Sequence, residues 1–151
     1  MLKLREMRQE DSARIAELEY EIFPDPWTEA GIKETFLQPH AFIAVAEDEQ
    51  IIQGYCIIYH VLDEAEIARI AVDVSGRREG IGSRLLEFCE KLSIERGAEI
   101  MLLDVRESNV AARSFYEKQG FCVDGMRKNF YDNPKEHALL MSRNMAKSRE
   151  L

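Results

Sequence analysis

Apolar and polar residues alternate with a period of two from Leu2 to Met7, which predicts a strand, and from Asp11 to Phe23 the residues Ile15, Leu18, Ile22 and Phe23 share one helical face. Pro24-Asp25-Pro26 breaks that helix, and Thr28 is placed to cap a second one that runs to about Leu37, ahead of Pro39. Phe42–Ala46 and Ile51–Leu62 read as strands joined by a polar turn, Glu47-Asp48-Glu49-Gln50, and Glu66–Val72 reads as a third strand. Leu85, Leu86, Cys89 and Leu92 then recur at helical spacing until Gly97. The apolar run Ile100–Val105 predicts a strand buried on both faces. Strand, helix and strand in that order make a β-α-β crossover with parallel strands. Asn109–Lys118 reads as a helix stopped by Gly120, and Phe121–Met126 and His137–Arg143 as the last two strands, with Phe130 and Tyr131 in the loop between them. The pattern describes an α+β protein of about seven strands and four helices, organised as one domain over residues 1–151.

Composition narrows the chemistry. Hydrophobic residues make up 46% and charged residues 32%, enough apolar material for a core. The net charge of −8 argues against sequence-independent binding to nucleic acid and favours a basic or amine-bearing partner. The longest charge-free run, Gln50–Leu62, is 13 residues, short of the roughly 20 that span a bilayer, and the amino terminus lacks the apolar stretch of a secretory signal. The expectation is a cytoplasmic protein without a membrane partner. Cys56, Cys89 and Cys122 form no Cys-x-x-Cys pair and are expected to be buried, reduced thiols. His40, His60 and His137 share no metal-ligand spacing, so no metal is expected.

Arg77-Arg78-Glu79-Gly80-Ile81-Gly82 lies between a predicted strand and the start of a helix, where free backbone N–H groups and the helix dipole favour an anion. Arg77, Arg78 and Arg84 gather cations there, while both the dinucleotide and the Walker patterns are absent. Asn109 and Tyr116 lie two turns apart on one helical face, with Ala112 between them. They line a ligand channel, or else Asn109 is a cap and Tyr116 packing. Asp104 stands in an apolar run where desolvation raises a carboxyl pKa; the alternative is an ion pair with Arg106 on the same strand face. Glu66 on the neighbouring strand is a second candidate base. Trp27 after Pro26 either lines an acceptor entrance or anchors the second helix, and Tyr131 beside Phe130 either closes over a peptide backbone or plugs the core.

At Ile70-Ala71-Val72-Asp73, at Arg77 to Gly82, from Asp104 through Asn109 to Ala112, and at Phe115-Tyr116-Glu117-Lys118-Gln119-Gly120-Phe121, the chain resembles the GCN5-related N-acetyltransferases. Pro26-Trp27-Thr28 and Arg127-Lys128-Asn129-Phe130-Tyr131 make it most similar to the branch that acetylates the N-terminal alanine of a ribosomal protein. The resemblance implies acetyl-CoA as cosubstrate, with the thioester and pantetheine arm on the backbone of Ile70, Ala71 and Val72. It places the pyrophosphate on the amides of Arg77, Arg78, Glu79, Gly80, Ile81, Gly82 and Ser83, with a further hydrogen bond from Asn109. It makes Tyr116 the proton donor to the departing thiolate, and Asp104 or Glu66 the base; Asp104 stands where members of the family commonly carry Glu. Trp27 and Tyr131 would then face a protein or peptide amino terminus. Two other readings stand beside this one: a small-amine acceptor, and a non-catalytic acetyl-CoA sensor.

Overall fold

A computed structural model describes residues 1–77 and 79–145. The elements are β1 (Leu2–Glu6), α1 (Ser12–Ile22), α2 (Glu29–Phe36), β2 (Ala41–Asp48), β3 (Ile51–Val61), β4 (Glu64–Val72), α3 (Ile81–Glu95), β5 (Ile100–Arg106), α4 (Val110–Lys118), β6 (Cys122–Tyr131) and β7 (Glu136–Asn144). Thr28 caps α2 as expected, its hydroxyl accepting from Gly31 N at 3.0 Å. The turn between β2 and β3 is shorter than the sequence suggested. Glu49 and Gln50 both take positive φ, 53° and 67°, a two-residue connection whose twist suits a hairpin. Glu47 and Asp48 therefore stay in β2, where they pair with Arg5 and the Met1 amino group.

The sheet has seven strands in the order β1-β2-β3-β4-β5-β7-β6. Every neighbour pair is antiparallel except β4 with β5, which is parallel. The seven strands and four helices are those the pattern implied, and the mixed, mostly antiparallel sheet with its one parallel crossover is the one that the family resemblance implies. The parallel pairing covers only Glu64–Glu66 against Ile100–Leu102. Beyond Glu66 the two strands part, while β4 stays paired to β3 as far as Val72. A bulge accompanies the parting: Ile57 faces Arg69 and Ile58 faces Ile67, leaving Ala68 without a partner on β3.

Two apolar layers sandwich the sheet. On one face, Leu85, Leu86 and Cys89 of α3 and Tyr116 of α4 pack with Met101 and Leu103 of β5. On the other, Ile15 and Leu18 of α1 and Ile32 of α2 pack with Tyr55 and Ile57 of β3. Because α1 and α2 lie over β3 and β2, the far side of β5 is left without that cover. The expectation that β5 is buried on both faces is corrected accordingly: Met101, Leu103 and Val105 are buried, whereas Ile100, Leu102, Asp104 and Arg106 are half-buried. Among the described residues no helix is long and apolar enough to cross a membrane.

The end of β6 differs from the expected loop. Arg127 faces Ala138 and Tyr131 faces Glu136, so β6 carries extra residues in a bulge, with Asn129 at φ 52° and its N–H donating to His137 Nδ1 at 2.9 Å. The strand thus continues to Tyr131 instead of ending at Met126. Cys56 and Cys89 are buried free thiols, but Cys122 is exposed, because β6 is an edge strand with almost every residue open to solvent.

Gly54 fixes how closely β3 approaches the end of β4. A Cβ there would stand 2.8 Å from the Ala71 carbonyl oxygen and 3.1 Å from Leu85 Cδ1. Backbone cannot yield as a flexible side chain can, so Gly54→Ala is expected to lower stability by about 1–3 kcal/mol. A shift of the urea midpoint measures it.

Candidate active site

After β4 the chain makes a 3₁₀ turn over Val74–Gly76 and enters α3 through Gly80, which caps the helix at φ 77°. The left-handed conformation suits glycine, and a Cβ at Gly80 would meet nothing within 4 Å, so the turn is open on that side. The first helical bond is Arg84 N to Gly80 O at 3.1 Å. The N–H groups of Ile81, Gly82 and Ser83 precede any acceptor within the helix and point out of its positive end. Gly82 lies beneath Phe115 of α4, where a Cβ would come to 3.4 Å of the ring. Gln119 Nε2 donates to Ser83 Oγ at 2.9 Å, joining the end of α4 to the start of α3. Arg77 turns inward, its Nε donating to the Val72 carbonyl at 3.1 Å. Arg78 lies outside the described residues.

The parting of β4 from β5 leaves one edge of β4 unpaired by any strand from Ile67 to Val72. That edge runs directly into the Gly80 turn, so an extended ligand can lie along Ile70, Ala71 and Val72 with its anionic end at the helix. Tyr116 of α4 lies in the apolar layer on the α3 face of the sheet. Its ring packs edge-on between Phe115 and Phe121, with centroids 5.2 and 5.5 Å away. Burial, reinforced by Cys56 and Tyr131, holds the phenol pKa well above its ordinary value, so the hydroxyl keeps its proton. Asn109 caps α4, its Oδ1 accepting from Ala112 N at 3.1 Å, which leaves the side-chain amide nitrogen as its donor toward a ligand.

On the opposite face of the sheet the gap is lined by acids. Burial first, and Asp104 second, push the Glu66 carboxyl pKa up, with Arg127 pulling the other way. Asp104 is paired with Arg127 of β6 at 3.1 Å, which replaces the Arg106 partner suggested by the sequence. The strand order explains the exchange: Arg127 reaches across β7 to β5. Arg106 instead donates to Pro134 O at 2.9 Å and to Glu136 at 3.3 Å, and its guanidinium lies 4.3 Å above the Tyr131 ring. Burial, then Asp104, push the Tyr131 phenol up to about 12. Tyr131 is thus held between the Arg106 guanidinium and the Phe130 ring, whose centroid is 5.1 Å away. Trp27 is partly buried against the α1–α2 layer, its backbone N–H donating to Glu19 at 2.9 Å. His60 lies elsewhere, beside Phe42 and Arg96, where burial lowers its pKa. Among the described residues no group of His, Cys, Asp or Glu is placed to hold a metal ion.

Two features escaped the sequence pattern. One is the Asp104–Arg127 pair, between residues on strands that are not neighbours in the sheet. The other is Glu19, fully buried and bound by Tyr55, Arg69 and Trp27. Its signal was an acid four residues after Ile15, on the apolar face of α1.

The site thus combines an unpaired β4 edge, a helix start with free amides, a buried tyrosine and, on the other face, carboxylates. The chain belongs to the acetyltransferase (GNAT) family, whose sequence profile matches residues 12–121. It is similar to a Bacillus subtilis protein, named provisionally a ribosomal protein bS18-alanine N-acetyltransferase, at 36% identity over 139 residues, covering 91% of this chain and 92% of that one. The crystal structure of the ribosomal-protein-S18-alanine N-acetyltransferase from Escherichia coli matches with a TM-score of 0.87 at 28% identity, over 96% of this chain and 94% of that one. An aminoglycoside 6'-N-acetyltransferase solved with coenzyme A shares the fold, with a TM-score of 0.81 at 18% identity over 95% and 97% of the two chains.

Glu136 anchors the loop that launches α4, accepting from Ser108 N at 2.6 Å. The Ser108 hydrogen bonds, then Arg106, hold its carboxyl below the usual range. A depressed carboxyl adds stability that is present above its unfolded pKa, about 4.3, and is lost as pH falls through the folded value. Melting temperature should therefore drop in mild acid, and Glu136→Gln should lower it at pH 7 while flattening that part of the profile.

Proposed function

We propose that the chain, as a single catalytic domain over residues 1–151, transfers the acetyl group of acetyl-CoA to the N-terminal α-amine of a ribosomal protein whose first residue is alanine. The observation that carries this reading is the parting of β4 from β5 after Glu66, with Tyr116 in the apolar layer of one face and Glu66 on the other face. The residues fit the cosubstrate: Gly80 offers clear space and the amides of Ile81, Gly82 and Ser83 are free to bind an anion, with Arg77 and Glu79 beside them and Arg78 between these two in sequence. Acetyl-CoA bound there supplies an activated acyl group. The edge of β4 at Ile70–Val72 holds the extended arm, and Asn109 adds a donor from the α4 cap.

The acceptor approaches from the α1–α2 face, between Trp27 and Tyr131. Glu66, whose raised pKa brings it nearer the working range of a general base, takes a proton from the ammonium, directly or through a water. Asp104 keeps that proton affinity high by its negative charge. Tyr116 Oη holds the proton for the departing sulfur. An α-amine, with a reference pKa of about 7.7–8.0 against about 10.4 for lysine, needs only so mild a base. The reading places the protein in the cytoplasm, with neither nucleic acid nor membrane as partner. A proton donor at Tyr116 has no use in a sensor domain, which favours catalysis over that reading.

The test is release of CoA with a peptide bearing a free N-terminal alanine, the same peptide blocked and carrying an internal lysine, polyamines, and aminoglycosides. The free α-amine is expected to react fastest; equal rates, or activity confined to small amines, would assign a small-molecule acceptor instead. Tyr116→Phe should lower kcat by about 10²–10⁴-fold, the usual worth of a general acid, with little change in acetyl-CoA affinity or melting temperature. Near wild-type kcat, with chemistry rate-limiting, would remove Tyr116 from that role.

A further inference from the structure

Glu19 is an acid with no exposure, on the core-facing side of α1. Such a charge persists only when fully partnered. The Tyr55 hydroxyl donates to Oε2, Arg69 Nε lies 3.2 Å from both carboxylate oxygens, and Arg69 Nη2 lies 3.1 Å from Oε1. The remaining contacts are all with the segment between α1 and α2. Glu19 Oε1 accepts from Trp27 N at 2.9 Å. Arg69 Nη2 donates to the Asp25 carbonyl at 2.8 Å and approaches the Asp25 carboxylate at 3.4 Å. The Arg69 guanidinium also lies 3.8 Å over the Phe23 ring.

One buried ion pair thus grips three points of a short connection: the ring at its start, a carbonyl in its middle and an N–H at its end. Arg69 belongs to β4 and follows the bulged Ala68 directly, where β4 has already left β5. We infer that Glu19 and Arg69 are positioning residues that clamp the 23–27 segment to β4 beside the gap, setting the entrance through which the acceptor reaches the acyl group. The inference rests on the reading of that face as the acceptor side. It assigns no contact between Glu19 or Arg69 and the cosubstrate, so the two substrates should respond differently when the clamp is loosened.

Trp27 is the only tryptophan in the chain, so its emission reports on the clamped segment alone. Arg69→Lys keeps a cation for Glu19 but cannot span Glu19, Asp25 and Phe23 together, because an ammonium is a point donor where guanidinium is a planar fork. The expected result is a red shift and stronger acrylamide quenching of Trp27, an acceptor KM raised about tenfold if the segment is competent about a tenth of the time, and an unchanged kcat and acetyl-CoA KM. Glu19→Gln alone takes from Arg69 its buried counter-charge, leaving only the exposed Asp25 carboxylate at 3.4 Å, and destabilises the protein. The double variant Glu19→Gln with Arg69→Met removes both charges, while the amide oxygen introduced by the first substitution still accepts from the Trp27 backbone N–H. It should therefore recover melting temperature without recovering acceptor KM.

Unchanged Trp27 emission in Arg69→Lys overturns the inference, as does a shifted emission with an unchanged acceptor KM. Recovery of both stability and acceptor KM in the double variant overturns it too, since the pair would then be structural only. If the wild type acetylates small amines but not peptides, the peptide reading fails, and the same KM comparison on that amine still decides the clamp.

Discussion

Parallel strands β4 and β5 share only the pairing from Glu64 to Glu66, and the site is what the sheet does next. A strand that loses its neighbour must satisfy its backbone N–H and C=O groups by other means, and buried orphans are costly. Here one free carbonyl, that of Val72, is met by Arg77, and the rest of the edge faces an opening that a ligand with amide groups can fill. Where the strands part, neither face of β4 is backed by a neighbouring strand on that side. Tyr116 belongs to the α3–α4 layer and Glu66 to the α1–α2 side. Charge is unevenly distributed along this edge: the start of α3 presents the positive end of a helix dipole, and Glu66 and Asp104 set acids on the other face.

How much of this could be read beforehand depended on the range of each rule. Thr28, the Gly80 turn and Asn109 act within a few residues, and each falls where capping and turn chemistry put it. The crossover followed from strand, helix and strand in sequence. The length of its parallel pairing did not, because register is settled by packing across the whole sheet. Asp104 shows the limit most sharply. Its nearest cation in sequence on the same face is Arg106, but Arg106 is drawn to Glu136 and Pro134, and Asp104 is met by Arg127 from a strand beyond its neighbour. Tyr131 was misplaced for a related reason: the bulge that carries β6 past Met126 needs Asn129 at positive φ, a conformation that no hydrophobic period reveals.

Buried polarity marks the parts of the molecule that hold the site in shape. Glu19 binds the α1–α2 connection to β4, and Glu136 binds the start of α4 to β7. Each carboxylate accepts from a backbone N–H outside regular structure and from an arginine on a strand, so loop and sheet are tied by the same residue. Charged hydrogen bonds of this kind are stronger and more directional than apolar contact. They fix segments that lie outside regular secondary structure.

The form of β6 has a consequence for how the molecule meets copies of itself. It is the last strand of the sheet, exposed along nearly its whole length, with Val123, Met126 and Phe130 about half open to solvent. A long flat border of that composition would be a template for sheet-to-sheet accretion. Two register breaks, one between Val123 and Gly125 and one between Arg127 and Tyr131, twist the border out of line, and Arg127 and Lys128 set positive charge along it. The irregular run that carries Tyr131 to the gap therefore also ends the sheet, so that growth by strand addition finds no straight row of donors and acceptors to copy.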